Sequence, residues 1–117
     1  MFRRIVKNLE HRPPNHGRFA ARQAIKKLAS AAGLGKPEVL KLKSLSELST
    51  IGNPPFVYVK TSFNKNDKYP YYPLVCKTLE KSGYKLFNLY GIRRGRQSVL
   101  LGTDILFISE SVSKKIS

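Results

Sequence analysis

Carboxylates are what this sequence has least of. Seven Asp and Glu stand against 22 Lys and Arg in 117 residues, a net charge of +15. From Arg12 through Lys36 there is no acid at all, so the cations of that stretch have no local ion-pair partner. A charge this one-sided costs self-repulsion in the compact state and is tolerated where a polyanion neutralises it. Nucleic acid is the commonest such partner. Cysteine is nearly missing too: Cys76 alone cannot form an internal disulfide, which speaks against a stapled, secreted domain. No apolar run approaches the roughly 20 residues of a membrane helix, so a membrane-embedded chain is not expected. The hydrophobic fraction of 41% is still that of a folding chain, and the length suits one domain.

Groups for chemistry are equally sparse. His11 and His16 lie in "HRPPNHG" with no cysteine or acid beside them, so neither metal nor catalytic spacing is present. "GLGKPE" (33–38) lacks the spacing of a phosphate-binding loop. Asp67 and Asp104 read as isolated carboxylates rather than an acid–base pair. The expectation is a protein that is not an enzyme, with no metal, no cofactor and no small-molecule substrate.

What the chain does have is a basic beginning. Residues 1–43 carry eleven Lys and Arg against two acids, and residues 44–117 carry eleven against five. This divides the chain into a basic helical N-terminal arm (1–36) and a compact α+β domain (37–117). Residues 2–10 suit a short amphipathic helix, ended by Pro13 and Pro14. A second helix is expected from about Arg18 to Ala32, where Ala21, Ile25, Leu28, Ala29 and Ala32 share one face, with Gly33 as a left-handed stop and Leu34 folding back toward Leu28.

In the body, "EVLKLKS" (38–44) alternates as a half-exposed strand, and Ser44-x-x-Glu47 has the form of a capping box opening a short helix with Leu45, Leu48 and Ile51 inward. "FVYVKTSF" (56–63) reads as a strand, and a helix follows from Pro73 to Gly83. "YKLFNLYGI" (84–92) and "SVLLGTDILFIS" (98–109) read as two further strands, the second broken at Gly102-Thr103-Asp104. The expected fold is α+β, a small mixed sheet with helices packed on one side. Phe56, Tyr58, Phe63, Phe87 and Phe107 are expected in its core.

Three sets of residues are candidates for contact with a polyanion. "GIRRGRQ" (91–97) lies between two strands, with Gly91 and Gly95 fit for a hairpin tip. Arg93, Arg94 and Arg96 would then project from the rim as guanidinium forks that match phosphate oxygens. Arg18, Arg22 and Lys26, with Lys27 nearby, run at i, i+4, i+8 along the second helix. Arg3, Arg4, Lys7 and Arg12 extend the same basic surface. In "KYPYYP" (68–73), Tyr69, Tyr71 and Tyr72 stand beside Lys65 and Lys68 and are candidates for stacking on unpaired bases; the competing reading is a half-buried lid over a sheet edge.

In length, charge, basic arm and mixed α+β body, the chain resembles small ribosomal proteins, and its "MFRR" start is similar to that of mitochondrial ones. The resemblance implies a structural RNA-binding component of a ribosome, docked on rRNA and on neighbouring ribosomal proteins, with the arm and arginine tip threaded into the RNA. It implies the mitochondrial matrix, with cytoplasm and nucleus as alternatives. The basic, acid-poor start has the pattern of a mitochondrial targeting segment and equally that of a retained RNA-binding arm. Two other readings stay open. One is a regulatory factor that binds RNA or DNA. The other is a peripheral subunit of an inner-membrane complex with residues 2–10 lying on anionic lipid.

Overall fold

A computed structural model describes residues 16–50, 52–65 and 68–117. The helix expected over 2–10, with Arg3, Arg4, Lys7, His11 and Arg12, lies outside the described residues, as do Ile51 and Asp67. The elements run α1 (His16–Ala31), β1 (Val39–Leu42), a 3₁₀ turn (Leu45–Thr50), β2 (Phe56–Ser62), α2 (Tyr72–Lys81), β3 (Tyr84–Arg94), a 3₁₀ turn (Arg96–Ser98), β4 (Leu100–Ser109) and α3 (Glu110–Ile116). The four strands form one mixed sheet in the order β1-β2-β4-β3, with β1 parallel to β2 and the other pairs antiparallel. The class is α+β, as the sequence led us to expect.

The helices, however, cover both faces of the sheet, not one. Strand residues alternate sides, so Phe56, Tyr58, Leu106 and Ile108 face one way while Val57, Val59, Ile105 and Phe107 face the other. On the first face α1 lays down Ala21, Ile25 and Ala29, joined by Val112 of α3. On the second, α2 buries Val75 and Leu79 beside Leu42 and Tyr84. The physical reason is visible in β2: "FVYV" is apolar at four consecutive positions, and all four are buried. A strand buried on both faces has no polar side to turn to water.

α1 packs into the first core through Ala21, Ile25 and Ala29. Its alanine stripe lets the helix lie close to the sheet. The helix ends as expected: Gly33 takes φ +74°, the Leu34 amide returns to the Ala29 carbonyl at 2.8 Å, and Leu34 packs against the same cluster. At its other end Gly17 crosses β3 at Gly91 (φ +55°), where a Cβ on Gly17 would lie 2.7 Å from the Gly91 nitrogen. Gly91 thus serves a helix–strand crossing. At the hairpin tip itself Gln97 and Ser98 hold the positive φ values, and Gly95 does not.

Two further expectations need correction. β4 runs unbroken through Gly102, Thr103 and Asp104, which pair with Ser62, Thr61 and Lys60 of β2. The irregularities fall in β3 instead, where Phe87 stands between the pairs Leu86–Phe107 and Asn88–Leu106 and a second shift follows Tyr90. The extra residue reverses the alternation, so Tyr84 and Leu89 reach the same face, and Phe87 is exposed instead of core. At Ser44 the hydroxyl pairs with that of Ser46, the Glu47 amide donates to the Ser44 carbonyl at 3.2 Å, and the Glu47 carboxylate accepts from the Lys43 amide. Finally, α3 was not foreseen. Its signals were present, with Ser109 accepting from the Val112 amide as N-cap, Glu110 in the first turn and Lys114 and Lys115 in the last.

Candidate nucleic-acid interface

α1 covers the first face only as far as its first turn. Beyond that, the same face continues with Lys41 opposite Tyr58 and Lys60 opposite Asp104. The segment after β2 folds back over this end, bringing Lys68 and Tyr69. Arg18, Lys41, Lys43, Lys60 and Lys68 thereby line one cavity of about 400 Å³, together with Leu42, Tyr58, Tyr69 and Asp104. Arg18, Lys41 and Lys60 form no ion pair among the described residues.

Among the described residues the cavity holds one carboxylate, and it is already engaged. Asp104 is buried, 6% exposed; its Oδ2 accepts from the Tyr58 hydroxyl at 2.5 Å and its Oδ1 from Arg93 at 2.9 Å. A second guanidinium nitrogen of Arg93 donates to the Thr61 carbonyl. Gly102 makes the room for this, because a Cβ there would overlap both that nitrogen and the Thr61 oxygen. Burial first, and then the Asp104 hydrogen bond, push the Tyr58 phenol far above its ordinary range, with nearby Arg18 opposing weakly. Tyr58 is a fixed neutral donor. The carboxylate is thus already paired with Arg93 and hydrogen-bonded to Tyr58.

Tyr69 organises the rim. Its ring centroid lies 5.3 Å from Lys60 Nζ, 5.1 Å from Lys68 Nζ and 5.1 Å from Arg93 Cζ. An aromatic face attracts cations at such distances, so one ring offsets part of the repulsion among three positive groups. Tyr71 has Lys65 Nζ at 5.7 Å. Tyr72 meets Phe63 edge-on, centroids 5.1 Å apart, and packs against the second core. Beside it Cys76 is half-buried, and burial raises its thiol, as it raises the Tyr72 hydroxyl. Of the three tyrosines considered for stacking, Tyr69 belongs to a cation cluster and Tyr72 to packing.

The arginine segment divides as well. Arg93 does not project from the rim; its side chain, 28% exposed, is held by Asp104 and Thr61. Arg94 and Arg96 are exposed at the tip, with Arg94 bonded to the Ser98 carbonyl at 3.1 Å. Around them Ile92, Val99, Leu100 and Leu101 are exposed apolar residues. On α1, Arg18, Arg22, Lys26 and Lys27 are all exposed. Arg18 and Arg22 also line a smaller crevice of about 150 Å³ between α1 and β1, with Ala21, Ile25, Val39, Lys41 and Tyr58. The structure thus brings Arg18 together with Lys41 and Lys60, and Arg22 together with Lys41, lysines that sequence spacing does not single out. The alternation in "VLKL" placed Lys41 opposite the core-facing leucines, but its neighbours depend on strand pairing.

Among the described residues no group of three His, Cys, Asp or Glu is placed to hold a metal ion, and no helix is long and apolar enough to cross a membrane. No family model, no curated protein and no solved structure matches the chain.

Proposed function

We propose that this protein binds RNA through its phosphates as a structural component of a ribonucleoprotein particle, a ribosome in the first instance and a mitochondrial one by the resemblance of its basic start. The observation that carries the reading is the concave face lined by Arg18, Lys41, Lys43, Lys60 and Lys68, where the carboxylate of Asp104 is tied to Arg93. Cations gathered into a concavity raise the local concentration of a polyanion and position its backbone without reading sequence. The exposed helix stripe widens the contact. The tip, with Arg94 and Arg96 among Ile92, Val99, Leu100 and Leu101, suits a boundary where RNA and a neighbouring protein meet.

The deciding experiment is sedimentation of the tagged full chain from lysate, with and without ribonuclease. Cosedimentation with a large particle that ribonuclease abolishes is the expected result. Free protein, or a ribonuclease-resistant membrane fraction, overturns the proposal. With purified components, replacing Arg18, Lys41, Lys43 and Lys60 by Gln should flatten the salt dependence. If six phosphates are engaged, the wild-type slope of log K against log[salt] is roughly −4 on single-stranded RNA, and each lost contact reduces it by about 0.7.

A further inference from the structure

The cationic cavity and the apolar crevice share Arg18, Lys41 and Tyr58, so they adjoin along one wall. Their linings differ sharply. The larger is walled by five cationic side chains and a neutralised carboxylate. The smaller is walled by Ala21, Ile25, Val39 and Tyr58, together with Arg18, Arg22 and Lys41. We propose that the joined cavities hold one nucleotide unit, its phosphate in the larger cavity and its base in the smaller. This rests on the RNA reading only for where the nucleotide comes from.

The chemistry on each side fits that division. A phosphate needs several convergent donors and no competing acceptor. Lys41 and Lys60 flank Tyr58 and Asp104 across the strand ladder, Arg18 comes down from α1, and the Asp104 oxygens are already engaged by Tyr58 and Arg93. A base needs a slot that excludes water from its faces, and about 150 Å³ between a helix and a strand is of that scale. The combined volume lies within the range of small-ligand sites, roughly 300–1,000 Å³. Apart from Tyr58, whose hydroxyl is committed to Asp104, the walls of the smaller slot are aliphatic, and its other polar groups are guanidinium and ammonium heads rather than paired donor and acceptor arrays. The site therefore accepts a base without reading its edge, and the four bases should bind within a few-fold of one another.

The same chemistry has two sources: a free mononucleotide, or a nucleotide unstacked from an RNA strand. The full chain is titrated with AMP, adenosine and inorganic phosphate, followed by amide chemical shifts at Lys41, Tyr58 and Lys60 and by calorimetry. AMP is expected to bind at least tenfold more tightly than either fragment, and Lys41→Gln with Lys60→Gln to weaken AMP at least tenfold. Lys77→Gln with Lys81→Gln removes the same charge on α2, which packs on the opposite face of the sheet, and should leave AMP binding within twofold. Circular dichroism of both variants establishes that they are folded. AMP binding no tighter than phosphate, or equal losses in the two double variants, overturns the proposal. Competition with a fluorescent single-stranded RNA then separates the sources. Displacement by AMP places the unit within RNA, and AMP binding without any RNA binding sustains the site while defeating the RNA reading. RNA binding that AMP neither contests nor accompanies defeats the site and leaves the RNA reading standing.

Discussion

Arg93 on β3 reaches Asp104 on the neighbouring β4 at 2.9 Å and continues past Gly102 to the Thr61 carbonyl on β2, so one guanidinium links three strands. Three arginines stand within four positions in "RRGR", but they divide between support and surface.

Arg93→Gln should destabilise the fold by roughly 3 kcal/mol, because it leaves a buried carboxylate without its counter-charge. Arg94→Gln and Arg96→Gln should each change stability by less than about 0.5 kcal/mol, as exposed substitutions do. Urea denaturation of the three single variants tests this. Equal, small effects would mean that the Arg93–Asp104 pair contributes nothing to the fold.

Gly102→Ala is expected to cost roughly 2–3 kcal/mol, the scale of overpacking against fixed backbone. The new methyl overlaps the Thr61 oxygen, which cannot move without breaking the β2–β4 ladder, and it displaces Arg93. Gly35→Ala is the matched control: nothing lies within 4 Å of a Cβ there. A Gly102→Ala protein as stable as the control would contradict the arrangement.

Stability should fall steeply on the alkaline side. Burial raises the phenols of Tyr58, Tyr72, Tyr84 and Tyr90, so the folded state favours the neutral form. Unfolded tyrosine ionises near pH ~10. Below that value the contribution is complete, and it is lost as pH climbs through the higher folded values. The urea midpoint should be insensitive to these groups up to about pH 9 and drop beyond about pH 10. Tyrosinate absorbance of the buried rings should rise together with loss of far-ultraviolet ellipticity. Ionisation of all six tyrosines in a still-folded protein would refute it.

What could be read from the chain alone was what depends on near neighbours. The α1 stripe, its Gly33 stop, the alternation in β1 and the run in β2 all appear where local spacing put them. The two-sided burial is also written there, since "FVYV" and "ILFI" leave no polar face to turn to water. The site was harder. Thr103 and Asp104 look like turn residues. They are held in a strand by partners on β2 and β3, 42 residues away for Thr61 and 13 for Tyr90. Lys41, Lys60 and Lys68 become one lining only after strand order is known, and no spacing rule joins them. Arg93 was misjudged for the same reason: its anchor Asp104 lies across a bulged pairing whose register the sequence does not reveal.

The irregular course of β3 matters beyond the register of Tyr84 and Leu89. β3 is an outer strand, and Leu86 and Phe87 are exposed along it. A straight ribbon with such residues would invite a second molecule to extend the sheet and grow toward fibrils. The surplus residue at Phe87 and the further shift past Tyr90 disturb the spacing of the outward amides and carbonyls, so an incoming strand finds no continuous row to zip against. In this way the fold blunts the edge-to-edge association that greasy side chains at its border would otherwise favour.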